Sequence, residues 1–184
     1  MTENYRPTGL WERTPYLSTN RLILEPLRVF HAAAMTPVLA DLELYEFTGG
    51  EPLTHEQLER RFTLMYAGSR SETEHWHNWI VSLRGSSQLI GHLQATVWAT
   101  ACSLAWTTGL RWQGQGYATE GVTAVRDWLR ASGANVFLAS IHPAHVASQA
   151  VASAIDLRLR DGAPGYLPAG SVDEDEEAWT NLEV

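Results

Sequence analysis

The feature that most constrains the fold is the segment RWQGQGYATEG at residues 111–121, where two glycines precede an apolar segment of helical period. The first backbone N–H groups of a helix have no internal partner, and the helix dipole places about half a positive charge there. Gly114 and Gly116 let the backbone approach a bulky anion, and Arg111 adds a charged contact. The segment therefore predicts a strand-to-helix turn that binds a pyrophosphate, with an ordinary glycine-rich turn as the alternative.

The apolar pattern on either side of this turn predicts an α+β fold around one mixed sheet, with an antiparallel meander before the turn. The predicted strands are 21–27, 77–84, 88–99, 102–110, 136–141, 157–160 and 178–184. The predicted helices are 28–47, interrupted near Pro37, then 54–67, the segment from the glycine turn to residue 131, and 146–155. We expect residues 1–184 to be a single domain in which residues 1–17 form an N-terminal arm.

The charged residues and the single cysteine exclude several classes of protein. All thirteen basic residues are arginine, so the chain lacks the phosphate-binding lysine of P-loop nucleotidases and any lysine Schiff base. The net charge of −8 argues against nucleic-acid binding, which needs a basic surface. Cys102 is the only cysteine, so no internal disulfide can form. We see no signal peptide and no apolar run of the ~20 residues that span a membrane, and we expect a cytoplasmic protein.

The glycine turn also discriminates between nucleotide-binding families. A Rossmann site needs a third glycine, where this chain has Thr119, and an acidic residue after the next strand, which VFLASI lacks. Arg111, Gly114 and Gly116 instead fit the pattern R/Q-x-x-G-x-G/A, and the segment resembles the acetyl-CoA motif of the GNAT acetyltransferases. QGQGYATEG is similar to the version found in the ribosomal-protein N-terminal acetyltransferase branch (Rim type).

The resemblance extends over residues 18–160, through segments that follow the Rim-type order. STNRLILEPL resembles the first strand, LYEFTGGEPLTHEQLERRF (44–62) the two-helix substrate lid, LIGHLQ a later strand, and IHPAHVASQAVASAIDL the segment usually reading NxxSxxVxxKLGF. It implies a GNAT-type mixed, mostly antiparallel sheet flanked by helices and splayed between the fourth and fifth predicted strands. It implies acetyl-CoA as cosubstrate. The cofactor-binding residues that it implies are Trp106, Thr107, Thr108, Arg111, Gln113, Gly114, Gln115, Gly116, Tyr117, Ala118, His145 and Ser148.

The catalytic positions are where the sequence departs from the family pattern. Ser103 stands where many relatives have a glutamate on the fourth strand, and Ala152 stands where many have a tyrosine acid. Ser148 matches the serine that the Rim-type branch keeps, and its hydroxyl could protonate the leaving thiolate or could merely serve the start of a helix. His145 replaces the usual asparagine. The candidate catalytic residues are Ser148, His92 and Ser103.

Two further histidines are candidate bases. His75 and His77 are two residues apart and so face one side of a strand, an arrangement that metals can use, but no third ligand is evident and we expect no metal. Each histidine in the meander, His92 included, has a structural or groove-lining role as the alternative to a catalytic one.

The resemblance implies an N-acetyltransferase that moves an acetyl group directly from acetyl-CoA to a primary amine in a ternary complex. The acceptor is a protein N-terminus or a small-molecule amine. A protein α-amine loses its proton near pH ~7.4 for under about 1 kcal/mol, whereas a lysine-like amine needs about 4 kcal/mol. We expect a monomer or homodimer with neither nucleic acid nor membrane as partner. The alternative is an acyl-CoA-binding pseudoenzyme that acts as a sensor without turnover.

Overall fold

The computed structural model describes residues 13–160 and 175–182, where the chain folds into one eight-stranded sheet with helices on both faces. The strands are β1 (Leu17–Ser18), β2 (Leu22–Pro26), β3 (Glu74–Leu83), β4 (Leu89–Trp98), β5 (Ala101–Thr108), β6 (Val136–Ile141), β7 (Arg158–Arg160) and β8 (Glu177–Thr180). The α-helices are α1 (His31–Met35), α2 (His55–Ala67), α3 (Tyr117–Ala131) and α4 (Val146–Ala154). Across the sheet the strand order is β1-β2-β3-β4-β5-β6-β8-β7.

The gap in the middle of the sheet lies between β5 and β6. Among the described strands these two form the one parallel pair, and they share only three pairs of residues, from Ala101–Val136 to Ser103–Leu138. Beyond Ser103 the strands diverge, so the backbone of β5 that faces β6 has no strand partner up to Thr108. β5 and β6 are the fourth and fifth predicted strands, so the predicted fold class and splay are confirmed.

The two faces of the sheet carry different layers, because side chains of a strand alternate between faces. On one face, here called the α3 face, Leu93 and Leu104 of the sheet pack against Val122, Val125 and Leu129 of α3. On the other, the lid face, Ile80 of β3 packs against a second buried cluster drawn from α1, α2 and the segments beside them. That cluster comprises Leu27, Ala32, Met35, Val38, Leu39, Leu58, Phe62 and Met65.

Helices α2 and α3 form where the sequence predicts them. Thr54 caps α2 by a capping box, since its hydroxyl accepts from Gln57 N at 3.3 Å and Gln57 Oε1 accepts from Thr54 N at 2.8 Å. The buried positions of α3 follow the predicted spacing, and α3 lies close to the sheet: a Cβ on Gly121 would lie 3.0 Å from Leu93 Cδ1. No helix in the described ranges is long and apolar enough to cross a membrane.

The segment 28–47 differs most from the prediction of an interrupted helix. Its α-helical part ends at Met35, because Pro37 cannot donate a backbone hydrogen bond. Helical geometry resumes only as a 3-10 turn at Leu42–Tyr45, where the Asp41 carboxylate accepts from Glu43 N at 3.1 Å.

The ends of the chain are described only in part. Leu17–Ser18, at the end of the predicted arm (1–17), forms a short strand antiparallel to β2. Residues 1–12 of that arm, residues 161–174 between the predicted strands 157–160 and 178–184, and the last two residues of the strand predicted at 178–184 lie outside the described residues.

Candidate active site

The glycine turn joins β5 to α3 through a short 3-10 turn at Leu110–Trp112. Gly114 and Gly116 have φ of 69° and 78°, in the region that side chains disfavour, and Gly116 is the N-cap of α3. The first bond of α3 runs from Glu120 N to Gly116 O at 3.0 Å. Within the described part of the chain, the N–H groups from Gly114 to Thr119 donate to no protein acceptor. The turn therefore offers six consecutive free donors at the positive end of a 15-residue helix.

Arg21, at the start of β2, lies against this turn from the side. Its Nη1 donates to Gln115 O at 3.0 Å, and its guanidinium carbon lies 4.5 Å from the centre of the Tyr117 ring. Its Nε pairs with Glu120 Oε2 at 2.6 Å. Arg21 thus adds a second positive charge beside the free amides and ties the turn to the edge of β2.

Glu120, in the first turn of α3, anchors the same region. Its carboxylate accepts from Thr19 Oγ1 at 2.5 Å and from Arg21 N at 3.0 Å. Burial by itself would raise the pKa of Glu120, but these hydrogen bonds and the Arg21 charge outweigh it, and the pKa is lowered below its ordinary value. The carboxylate therefore stays ionised, and it stabilises both the helix N-terminus and Arg21.

The polar side chains within the turn fold back onto its own backbone. Gln113 Nε2 donates to Thr108 O and Gln115 Nε2 donates to Arg111 O, both at 3.0 Å. The N–H of Gln113 is already bonded to Leu110 O at 3.2 Å. The free amides therefore begin at Gly114 and extend past the predicted Ala118 to Thr119, while the side chain of Arg111 is exposed beside them.

Trp106, Thr107 and Thr108 lie on the part of β5 that faces the gap to β6. Trp106 is opposite Leu93 and packs on the α3 face, whereas Thr107 is opposite His92 on the lid face. Because β6 has diverged here, backbone N–H and C=O groups of β5 on this side are not used by the sheet. They can bind an extended amide chain as an additional strand would.

His92 and Ser103 both lie on the lid face. His92 is opposite Ile80 and Thr107, and Ser103 is opposite Thr96, which lies four residues from His92 along β4, or about 13 Å. Burial, with a smaller contribution from the Arg61 charge, lowers the pKa of His92 to about 4. Its Nδ1 is buried and, among the described residues, has no hydrogen-bond partner. His92 is therefore neutral at physiological pH.

His75 and His77 lie on the opposite, α3 face, because they alternate with Trp76 and Asn78 along β3. His77 is 1% exposed, bonds to Thr14 Oγ1 at 3.1 Å and contacts Trp128 edge-on at 5.0 Å. Burial, helped by His75, lowers the pKa of His77 to about 4. The sheet therefore separates these two histidines from His92 and Ser103, and in the described ranges no three potential ligands meet to form a metal site.

His145 and Ser148 lie at the start of α4, just past the end of β6. His145 is the N-cap residue, and its side chain caps no backbone group. The Ser148 hydroxyl makes no hydrogen bond to any described residue, so it does not serve the helix backbone. A free hydroxyl at the mouth of the gap is available to a bound ligand.

The lid, residues 44–62, reaches α4 through Phe47. The Phe47 ring stacks on His145 with centroids 4.5 Å apart and lies 5.6 Å from the His142 ring. On the neighbouring strand the Ser140 hydroxyl donates to the carboxylate of Glu176. Glu176 belongs to the acidic run 173–177, which composition alone presents as a solvated loop, and residues 173 and 174 of that run lie outside the described residues.

Cys102 is not available for covalent chemistry. It is fully buried on β5, and its Sγ donates to Val136 O at 3.4 Å. Burial raises the pKa of the thiol to about 12. A thiolate nucleophile at this position is excluded at physiological pH.

A family model for the acetyltransferase (GNAT) domain matches residues 21–158 of the sequence. The match includes the glycine turn, both strands of the gap and all of α4. The chain belongs to the GNAT acetyltransferase family. This GNAT chain is therefore an acyltransferase, and its cosubstrate is that of the family, acetyl-CoA.

Solved structures share the fold of this GNAT acetyltransferase, whereas no curated protein sequence matches it. An acetyltransferase from Agrobacterium tumefaciens superposes with a TM-score of 0.72 at 22% identity, covering 93% of this chain and 96% of that one. The microcin self-immunity acetyltransferase MccE, solved with acetyl-CoA and AMP, gives 0.71 at 10% identity, covering 90% and 94%. RimL, a ribosomal-protein α-N-acetyltransferase solved with coenzyme A, gives 0.69 at 14%, covering 90% and 97%.

Sequence reasoning missed several residues around the active site of this acetyltransferase. Arg21 and Glu120 are 99 positions apart, so no local pattern indicates their pairing. Phe47 lies within a segment recognised as a substrate lid, but its contact with His145 depends on how the lid packs. The side-chain partners of Glu176 also arise only from the tertiary structure.

Proposed function

We propose that this acetyltransferase transfers the acetyl group of acetyl-CoA directly to a primary amine in a ternary complex. The observation that carries the proposal is the run of free N–H groups from Gly114 to Thr119, adjacent to an unpaired strand edge on β5. Anions bind at helix N-termini through such donors, and the pyrophosphate of coenzyme A is a matching anion. The cofactor then enters the gap from the end of the sheet where α3 and α4 begin.

The cofactor is held in two parts. Gly114 to Thr119 donate to the pyrophosphate, with the Arg111 and Arg21 charges beside it. The amides of the pantetheine arm bind the edge of β5 at Trp106, Thr107 and Thr108, which places the thioester between β5 and β6. The side-chain amides of Gln113 and Gln115 support this arrangement because their hydrogen bonds to the backbone fix the turn. The backbone N–H of Gln115 is in addition one of the free donors.

The acceptor amine approaches from the lid face. His92 and Ser103 lie on that face and supply polar groups there, and we assign protonation of the departing thiolate to the free hydroxyl of Ser148 in the first turn of α4. Direct transfer is favoured over an acyl-enzyme intermediate because the Cys102 thiol is buried and protonated. We place the reaction in the cytoplasm and take the protein to be a monomer or homodimer.

The acceptor is either a protein N-terminus or a small-molecule amine. RimL is an α-N-acetyltransferase of a ribosomal protein, which supports a protein N-terminus as acceptor, and MccE is a self-immunity acetyltransferase solved with acetyl-CoA and AMP. An α-amine is the easier substrate, because it loses its proton near pH ~7.4 at a cost of under about 1 kcal/mol.

Calorimetry with acetyl-CoA tests the cofactor site. We expect the wild-type protein to bind and Gly116→Ala to bind at least about tenfold more weakly, because a Cβ there disfavours the positive φ and occupies the approach to the amides. Gly68→Ala is the matched control, since Gly68 also has positive φ, 79°, but ends α2 away from the turn. Absence of binding by folded wild-type protein would overturn the proposal.

Release of free thiol from acetyl-CoA tests turnover, with a panel of peptides bearing free N-termini and of small amines. Thiol release with either group of amines supports acetyl transfer and identifies the acceptor class. Binding of acetyl-CoA without thiol release for any amine would instead support the alternative of an acyl-CoA-binding sensor.

A further inference from the structure

The His145 ring lies against the lid, on the side from which the acceptor is proposed to approach. Resemblance to the family assigns this position to the cofactor, but the ring stacks on Phe47 of the lid, with planes 22° apart. His145 follows the end of β6, whose lid-face residue Ser140 is bonded to Glu176. The ring is therefore bordered by the lid on one side and by the mouth of the gap on the other.

Both ring nitrogens of His145 are free to react. Within the described residues neither makes a hydrogen bond, although the ring is only partly exposed. The neighbouring His142 differs, because its Nδ1 accepts from Ala144 N at 3.1 Å and holds the loop. Of the two histidines that contact Phe47, His142 therefore has a structural hydrogen bond, and the His145 ring makes none to a described residue.

The charged groups around His145 suit a base that is neutral at rest. Burial lowers the pKa of His145, and His142 in the same loop acts in the same direction. Glu46 of the lid and Glu176 beside Ser140 act in the opposite direction and raise it. The two carboxylates therefore stabilise the imidazolium once a proton has been taken up.

His92, the other neutral histidine on the lid side, suits this task less well. Its pKa of about 4 lies roughly four units below that of an α-amine, so proton transfer to it is strongly uphill. Its Nδ1 is buried, which keeps that nitrogen away from an incoming amine.

We propose that His145 is the general base of the acetyl transfer, an assignment that rests on the proposed function. A ring nitrogen of His145 takes one proton from the acceptor ammonium, and the resulting amine attacks the thioester carbonyl. The C–N bond forms and the C–S bond breaks, and the second amine proton passes to the departing thiolate. The products are the acetamide and the free thiol, and the imidazolium returns its proton to solvent.

The test compares His145→Asn with His142→Asn, a matched change at the neighbouring histidine. We expect kcat/KM at pH ~7 to fall in H145N by about 100-fold or more for a lysine-like amine and by at most about tenfold for an α-amine, which is already partly neutral, and to fall by less than about threefold in H142N. The affinity for acetyl-CoA, measured by calorimetry, stays within about twofold of wild type in both. The wild-type kcat rises with pH as His145 loses its proton; H145N lacks this step and keeps only the rise set by the acceptor amine's own pKa.

Chemical rescue separates a base from a structural side chain. Added imidazole restores part of the rate of H145A if the ring acts as a base, and does not restore it if the ring only packs on Phe47. An H145N variant with wild-type rate and pH profile would overturn this proposal alone. Absence of thiol release by the wild-type protein would overturn the proposed function, and this proposal with it.

Discussion

At the scale of single residues, the site depends on close backbone contacts and on ion pairs, and few substitutions are tolerated at the residues that make them. Gly91 lies where β4 meets the end of β5, and a Cβ there would lie 2.2 Å from Thr107 O. Glu120 holds Thr19, Arg21 and the start of α3 together through one carboxylate. Each of these residues positions a part of the proposed cofactor site without itself contacting the cofactor.

Gly91→Ala is expected to lower the free energy of unfolding by about 2–3 kcal/mol, because the backbone of β5 has to move away from the new methyl group. Urea denaturation measures the change. Gly85→Ala is the control, since a Cβ at Gly85 meets nothing within 4 Å, and it should stay within about 0.5 kcal/mol of wild type. Equal effects of the two substitutions would contradict the prediction.

Glu120→Gln is expected to cost about 1 kcal/mol at neutral pH, a modest value because Arg21 is partly exposed. The folded-state pKa of Glu120 lies below the ordinary 4.5, so its contribution is complete above pH 4.5 and is lost as the pH falls through the folded-state pKa. The difference in unfolding free energy between wild type and E120Q should therefore shrink on acidification. Glu72→Gln is the control at an exposed carboxylate, and it should change the free energy of unfolding by less than about 0.5 kcal/mol at neutral pH.

At the scale of elements, the local ends of the helices decide where functional groups lie. The capping box at Thr54 fixes the start of α2, and α2 carries Phe62 and Met65 onto the lid face. Asn78 of β3 then donates to Met65 O at 3.2 Å and ties the helix to the sheet. The position of the lid thus depends on one hydroxyl cap and one buried amide.

Thr54→Ala is expected to destabilise the protein by about 1 kcal/mol, because the first turn of α2 loses its side-chain acceptor. Thermal and urea unfolding measure the loss. Thr63→Ala removes a hydroxyl from the interior of the same helix, where it only donates to Glu59 O, and should change stability by less than about 0.5 kcal/mol. A loss at Thr63 as large as at Thr54 would count against the capping box.

At the scale of the whole molecule, the two faces of the sheet each carry a neutral histidine, His77 fully and His92 partly buried. His77 on the α3 face and His92 on the lid face have pKa values lowered to about 4 by burial, against the ordinary 6.5. Below pH 6.5 these two histidines bind protons in the unfolded chain, whereas in the folded chain they stay neutral until about pH 4. Acid should therefore weaken the whole fold through residues on opposite faces.

The free energy of unfolding is expected to fall between pH 6.5 and 4, with each histidine contributing about 3 kcal/mol at most. His92→Gln should remove about half of this pH dependence, as measured by urea titrations at several pH values. The control is the same change at the exposed His55 of α2, which should alter the dependence less than His92→Gln does. An H92Q variant with the full wild-type slope would show that His92 is protonated in the folded state.

Local physics explains how much of the fold and site could be predicted from the sequence. The period of Val122, Val125 and Leu129, the capping box at Thr54 and the positive φ of Gly114 and Gly116 depend on neighbours a few positions away. The segment 28–47 is predicted as a helix interrupted near Pro37; Pro37 does end the α-helix, but beyond it helical geometry resumes only as the 3-10 turn at Leu42–Tyr45, which local propensity does not indicate.

The sequence by itself determined the glycine turn, the order of strands and helices and the family to which the chain belongs, since each follows from residues close together in the chain. Only the tertiary structure decided that β3 puts His77 on one side of the sheet and that His92 of β4 faces the other. It also brought Arg21 to the turn and Phe47 to His145. These contacts depend on strand register and on packing across the sheet, which join residues far apart in sequence.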